Sequence, residues 1–156
     1  MPDTLPTQTI TTQEAPRAVL AFAAAINRGD VDGAVAQLAP DARHVGRLSN
    51  YRPEGVKLLF EMLLGVFPDL QLDVRVVKVD GNRVVSRVVA TGTHTGSFLG
   101  KPATGEPMVW RSHDIAEIDP EVDDELGHGR ILGRVWDVWG DPELWRKIGF
   151  IPAAMC

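Results

Sequence analysis

Asp137 is the residue that its type and position best suit to catalysis. It stands between two tryptophans near the end of the chain. The segment Ile131 to Trp139 alternates as a strand does, and successive side chains on a strand point to opposite faces. Asp137 therefore shares a predicted face with Ile131, Gly133, Val135 and Trp139. An ionised carboxylate in such an apolar row is costly unless it is paired or has a functional role. We predict that Asp137 is a general acid or base.

Burial would suit Asp137 for proton transfer. A free aspartate has a pKa of about 3.9 and is a poor base at neutral pH. Burial among apolar side chains raises the pKa of a carboxyl group. Asp137 could then remove a carbon-bound proton and return it to a developing alkoxide. The alternative is a structural ion pair between Asp137 and an arginine such as Arg87 or Arg111.

Other polar and aromatic residues complete the candidate site. Asp114 shares a predicted strand face with Trp110 and Ser112, and it is either a second carboxylate or the partner of an arginine. His94, in the sequence Gly-Thr-His-Thr-Gly, either contacts an enolate oxygen, orients Asp137 or caps a hairpin. The predicted catalytic residues are Asp137, Asp114, His94 and His113. The predicted substrate-binding residues are His44, Arg87, Phe98, Trp110 and Trp139, in which the aromatic rings are either core or walls for a flat substrate.

Several other kinds of site are not supported by the sequence. The four histidines show no close metal-ligand spacing, so no metal site is expected. The stretch Gly96 to Lys101 is one residue too short for a phosphate-binding loop, and Pro102 replaces its Ser or Thr. The acidic segment Asp119 to Gly129 lacks the glycine and closing glutamate of a calcium loop, and we expect a solvated loop there.

Composition points to an ordinary globular protein. The chain has 156 residues, 44% of them hydrophobic and 24% charged, and a net charge of −5 without a basic stripe. Nucleic acid is therefore not an expected partner. The single cysteine is terminal, the N-terminus lacks the features of a signal peptide, and no apolar run is long enough to span a membrane. We expect a soluble cytoplasmic protein that does not bind membranes.

The chain is expected to form one domain from residue 13 to 150, after a flexible segment 1–12 and before a tail 151–156. The first half favours helices because its apolar residues recur at helical spacing. The first helix begins near Thr11 or at Pro16 and ends at Gly29. Asp30 caps a second helix, Val31 to Ala39, and an irregular segment follows from Asp41 to Arg52. A third helix is predicted from Pro53 to Phe67.

The second half favours strands. They are predicted at Leu70 to Val79, Arg83 to Thr95, Met108 to Ile118 and Ile131 to Trp139. A short helix begins after Asp141, with Pro142 at its first position. Three helices followed by a mostly antiparallel sheet predict an α+β fold, in which a curved sheet and its helices form a cone that can hold a small molecule.

Four blocks of the sequence resemble the SnoaL-like polyketide cyclases, which have the cone fold of nuclear transport factor-like proteins. The first is Phe22 to His44, and the second is Phe67-Pro68-Asp69-Leu70 at the junction of helix and strand. The third and most specific is Ala90 to Gly105. The fourth is Trp136 to Trp139 followed by Leu144 to Gly149. Together the blocks cover roughly residues 15 to 150 in the family's order.

The resemblance implies a specific reaction. Family cyclases close a ring of an aromatic polyketide ester by intramolecular aldol condensation, without metal or organic cofactor. The family's acid/base aspartate matches Asp137, whereas Asp114 stands where the cyclases have an assisting histidine. His113 is one position earlier and is expected to face the other way. The sequence also departs from the family at Arg134 and Val135, where a glutamate and a histidine are usual.

Three functions remain open from the sequence. The first is cofactor-independent cyclisation of an aromatic polyketide ester. The second is hydroxylation of an anthracycline-type intermediate, as in relatives of the cyclases, and Asp114 in the place of the histidine favours it. The third is a non-catalytic small-ligand-binding module. In each case the expected partner is a small hydrophobic polycyclic molecule, and an open sheet of this kind favours a homodimer or homotetramer.

Overall fold

The computed structural model describes residues 16–45, 50–97 and 100–135. Its helices are α1 (Arg17–Asn27), α2 (Val31–Val35) and α3 (Pro53–Val66). Its strands are β1 (Leu38–Val45), β2 (Asn50–Tyr51), β3 (Gln71–Asp80), β4 (Arg83–Thr93), β5 (Pro107–Ile118) and β6 (Ile131–Val135). The predicted N-terminal segment, C-terminal helix and tail lie outside the described residues, as does the second half of the strand predicted to end at Trp139.

The strands form a single sheet in the order β2-β1-β6-β5-β4-β3. Every pair in this sheet is antiparallel except β1 and β6, which run parallel. Along β5, buried and exposed residues alternate without interruption, so one face of the sheet is covered and the other faces solvent. The helices cover the inner face, and the predicted α+β fold is confirmed.

The main core lies between α1, α3 and this inner face. Phe22 from α1 and Phe60 from α3 meet edge to face with ring centroids 5.4 Å apart. Both helices bury the apolar side chains that their helical spacing placed on one face. Asp30 caps α2 as predicted, because its carboxylate accepts a hydrogen bond from the Gly33 N–H at 2.9 Å. Within the described ranges, no helix is long and apolar enough to cross a membrane.

Strand β1 corrects the prediction for the segment after α2. A helix to Ala39 and an irregular segment from Asp41 were expected, but α2 ends at Val35 and the chain enters β1 at Leu38. Besides the short β2, the partner of β1 is β6, almost a hundred residues away in sequence, and the Ile131 N–H donates to the Gln37 carbonyl at 2.8 Å. The pairing is irregular between Leu38 and Arg43, and such an irregularity tolerates a proline, here Pro40.

The acidic segment between β5 and β6 is exposed but anchored at three points. Asp123 pairs with Arg130 at 3.0 Å, and the Nε2 of His128 lies 2.6 Å from the Oε1 of Gln37. Arg17 donates to the carbonyl of Gly127 at 3.1 Å. The segment is therefore held against the start of α1 and the end of α2, and it leads the chain into β6.

Candidate functional site

A cavity opens between α1, α3 and the inner face of β3 to β6. Its walls are almost entirely apolar. The larger apolar side chains that line it are Val19, Phe22, Leu59, Phe60, Leu63, Leu70, Leu72, Val74, Val88 and Trp110. An apolar cavity with few polar groups is the usual form of a small-molecule site.

Among the residues that the structure describes, three polar ones line this cavity, namely Ser112, Asp114 and Arg134. The Ser112 hydroxyl donates to Oδ1 of Asp114 at 3.2 Å. The Nη1 atom of Arg134 lies 3.8 Å from Oδ2 of Asp114, and the two side chains are 5% and 6% exposed. Among the described residues, the cavity therefore has a buried ion pair set in mostly apolar walls, and buried, paired ionisable groups in a cleft mark a candidate functional site.

Arg134 is held in place by an aromatic ring as well as by charge. Its guanidinium carbon lies 4.7 Å from the centroid of the Phe22 ring, which is the geometry of a cation–π contact. Burial lowers the pKa of Arg134, and the neighbouring Asp114 carboxylate acts in the opposite direction. A buried guanidinium of this kind needs its carboxylate partner, because a lone charge in an apolar interior is costly.

The inward direction of Arg134 corrects the predicted faces of β6. Ile131, Gly133 and Val135 were expected to share a face, with Arg134 on the other side. The pairing of β5 with β6 shifts between Glu117 and Ile118, and after this irregularity Arg134 is buried while Val135 is 55% exposed. A bulge adds one residue to a strand and so exchanges the faces beyond it.

His44 is fully buried next to this pair. It lies opposite Arg134 on the neighbouring strand, and its ring centroid is 6.3 Å from that of Phe22. Burial, and then the positive charge of Arg134, lower the pKa of His44 to about 3. The imidazole is therefore neutral at neutral pH, and it flanks the cavity without being one of its lining residues.

Trp110 and His94 both contact the ring of Phe67. Trp110 lines the cavity and its ring centroid is 5.2 Å from that of Phe67. His94 is fully buried at 5.8 Å from Phe67, outside the cavity lining. Its Nδ1 atom lies 3.0 Å from the Thr104 hydroxyl oxygen and accepts from the Thr104 N–H at 3.3 Å. In the described part of the chain, His94 thus closes the loop after β4.

The remaining predicted residues are not gathered at the cavity. Arg87 and His113 are cross-strand neighbours on the outer, solvent-facing side of β4 and β5. His113 faces away from Asp114, as the alternation of the strand predicts. Asp137, Trp139 and Phe98 lie outside the described residues.

The structure thus brings together Asp114, Trp110 and His44 from the prediction, and it adds two residues. Ser112 was predicted to share a face with Asp114, although no role was given to it. Arg134 departs from the family pattern, but it was predicted to lie on the strand face opposite that of Asp137 and so was not expected in the site. Among the residues that the structure describes, no group of three His, Cys, Asp or Glu side chains is arranged to hold a metal ion.

Comparisons with known proteins agree with the fold. The sequence model of the SnoaL-like polyketide cyclases matches residues 16–122. The structure is similar to that of AclR from Streptomyces galilaeus, a candidate hydroxylase, with 28% identity, a TM-score of 0.72, and 88% of this chain and 97% of AclR covered.

Two further solved structures are similar. IdmH from Streptomyces antibioticus, a candidate polyketide cyclase, has 26% identity and a TM-score of 0.63, with 78% of this chain and 89% of IdmH covered. A candidate polyketide cyclase from Xanthomonas campestris has 23% identity and a TM-score of 0.70, with 88% and 98% covered, and shows the shared fold. No functionally curated protein matches the chain significantly.

Proposed function

The chain belongs to the SnoaL-like polyketide cyclase family, and from this membership we propose that it closes a ring of an aromatic polyketide ester by a cofactor-independent intramolecular aldol reaction. The observation that carries the proposal is the buried ion pair of Asp114 and Arg134, which lies among mostly apolar side chains in the part of the cavity that the structure describes. The apolar walls suit a flat polycyclic body, and the ion pair suits the one part of the substrate that exchanges a proton.

The acid–base work in this proposal is shared by two carboxylates. Asp137 stands at the family's acid/base position, and Asp114 stands where the cyclases have an assisting histidine. A carboxylate removes the proton next to the ester carbonyl, and a carboxylic acid returns a proton to the alkoxide when the new bond forms. Such proton transfer contributes about 10²- to 10⁴-fold to a rate. Holding the flexible substrate in its ring-closing conformation contributes the rest.

Side chains around the pair would position the substrate. Trp110 offers an aromatic wall, and Arg134 offers a positive charge for an oxygen that becomes negative. His44 is neutral and buried beside Arg134 on the neighbouring strand, so it adds no second positive charge there. Trp139 and Phe98 are further candidate walls from the sequence.

A second candidate function is hydroxylation of an anthracycline-type polyketide. Two observations favour it. Asp114, and not a histidine, faces the cavity from β5, and the candidate hydroxylase AclR is similar over 88% of the chain. This reaction would consume oxygen and would act on an electron-rich, reduced ring.

The requirement for molecular oxygen distinguishes the cyclase from the hydroxylase. The protein would be incubated with an anthraquinone-type ester precursor, with and without oxygen, and the products identified by mass spectrometry. Ring closure in the absence of oxygen supports the cyclase, and a product heavier by one oxygen atom supports the hydroxylase. Asp137→Asn and Asp114→Asn should each slow the reaction, whereas Arg111→Met, on the solvent-facing side of β5, should not. Tight binding without turnover by any of these proteins would contradict both functions and leave a ligand-binding module.

A further inference from the structure

Asp114 and Arg134 have opposite charges and form a loose pair. Their closest atoms, Oδ2 and Nη1, are 3.8 Å apart. Charge-assisted hydrogen bonds between such groups usually measure about 2.7 to 2.9 Å. The carboxylate also accepts a hydrogen bond from the Ser112 hydroxyl, and the guanidinium also contacts the ring of Phe22. Each member of the pair therefore has its own support and can keep its place when the other changes partner.

The charge of the cavity limits how a substrate can lose a proton there. Removing a proton from carbon leaves an enolate, and a negative charge within apolar walls is costly unless it is paired. If the proton moves to Asp114, the carboxylate becomes neutral at the same moment as the enolate forms. The net charge of the pair plus the substrate is then unchanged, and Arg134 has an anion beside it before and after the transfer.

This geometry points to an exchange of ion partners, in which Asp114 takes the substrate's proton and Arg134 passes from the Asp114 carboxylate to the new enolate oxygen. The carbon–hydrogen bond breaks, its electron pair moves into the enolate, and the proton forms an O–H bond with Asp114. The inference rests on the proposed ring closure and assigns two of its working groups. The substrates expected for this exchange are compounds whose acidic proton lies next to a carbonyl group or on a phenol conjugated with one.

The neighbours of Arg134 are suited to such an exchange. A guanidinium has five N–H donors, so it can contact the departing and the arriving oxygen together. His44 lies opposite Arg134 and has a pKa lowered to about 3, so it does not compete as a second cation. Of the described residues that line the cavity, Arg134 is the one that is positively charged.

A dye that changes colour on ionisation tests the exchange without any turnover. The probe is 1,2-dihydroxyanthraquinone, whose phenol and phenolate forms absorb at different visible wavelengths. It would be titrated with protein at a pH below the ionisation of the free dye. We expect the wild-type protein to bind the phenolate form, with a preference over the phenol of about 10- to 100-fold, as for a hydrogen bond to a charged partner.

Two variants and a control test the exchange of ion partners through their preference for the phenolate form of the dye. Arg134→Met should lose the phenolate preference by about 10-fold or more. Asp114→Asn should keep or strengthen it, because the Asp114 carboxylate no longer competes with the phenolate for Arg134, and yet it should slow ring closure of the ester. Arg111→Met removes an arginine from the solvent-facing side of the same strand and should match the wild type. Circular dichroism would verify that each variant is folded.

Dye binding tests the ion-partner exchange, and ring closure of an ester tests the proposed function, so the two can fail separately. Binding of the neutral dye by the wild type overturns the exchange, and so does a phenolate preference that survives in Arg134→Met. Loss of the preference in Asp114→Asn also overturns it, and this result stands even if Arg134→Met does not fold. The expected dye signature without ring closure of any ester would support the ion-partner exchange and contradict the aldol reaction.

Discussion

His44 and Arg134 lie directly opposite each other on β1 and β6, the parallel pair of strands in the sheet. Both side chains are buried, at 0% and 6% exposure. A second positive charge at His44 would therefore lie in an apolar interior next to a guanidinium, which is why the pKa of His44 is lowered from 6.5 to about 3. The two residues form a site in which the imidazole must stay neutral for the fold to be stable.

Acid should therefore destabilise the protein through His44. Its pKa is lower in the folded protein than in the unfolded chain, so the unfolded chain binds the extra proton as the pH falls below 6.5. Stability is full above pH 6.5 and declines towards pH 3, by about 5 kcal/mol if the whole window is crossed. The measurement is the urea midpoint as a function of pH. The slope should flatten in His44→Phe and persist in His113→Phe, and equal slopes in both variants would exclude this role.

The buried pair of Asp114 and Arg134 should show strong coupling in stability. Arg134→Met leaves a buried carboxylate without this partner and should cost about 3 to 5 kcal/mol of unfolding free energy. Asp114→Asn keeps the shape of the side chain but leaves the guanidinium charge, so it should also be costly. The double variant should lose clearly less than the sum of the two single losses. Additive losses in denaturant titrations would mean that the two charges do not interact.

The loop after β4 packs closely against the end of α3 at Gly96. The N–H groups of Thr95 and Gly96 both donate to the Val66 carbonyl, at 3.2 and 3.0 Å. A Cβ atom on Gly96 would overlap the carbonyl oxygen of Gly65, so Gly96→Ala should break these contacts and cost about 1 to 3 kcal/mol. Gly65→Ala is the matched control, since open space surrounds its Cβ position and alanine favours a helix by up to about 1 kcal/mol. Thermal unfolding of both variants should therefore shift in opposite directions, and a stable Gly96→Ala would contradict this close packing.

The outer face of the sheet should take part in self-association. Val45, Val135, Ile115 and Val85 are successive cross-strand neighbours from β1 to β4, and the first three are 39%, 55% and 46% exposed. Such an apolar row on a solvent-facing sheet favours burial against a second copy. Sedimentation should show a dimer or tetramer for the wild type and a smaller species for Ile115→Glu, whereas Ile115→Val should behave as the wild type. A wild-type monomer at high protein concentration would contradict the expected oligomer.

The parts of the fold that local patterns determine were predictable from the sequence. The apolar spacing of α1 and α3 and the alternation of β4 and β5 agree with the structure to within a few residues at each end. Strand β1 was missed because β6, its longer partner, is far away in sequence, and because Pro40 suggested a break between elements. No local sequence pattern predicts that the Ile131 N–H will donate to the Gln37 carbonyl.

The candidate site was predictable to the same extent. Asp114 and Trp110 were correctly expected to share a face, because the alternation of β5 is regular throughout. Arg134 was expected on the wrong face, because a single irregularity in the pairing of β5 and β6 exchanges the faces beyond it. A signal was nevertheless present, since an arginine stood where the family usually has a glutamate.

The most direct test of carbon-acid chemistry in the cavity is hydrogen exchange at carbon. A β-keto ester analogue that cannot close a ring would be incubated with the protein in D₂O without oxygen, and loss of its acidic C–H signal followed by NMR. We predict that the wild type and Arg111→Met accelerate the exchange. Asp114→Asn should reduce that acceleration by about 10²-fold or more, the usual contribution of a general base. An exchange rate no faster than that without protein, or one unchanged in Asp114→Asn, would contradict the account.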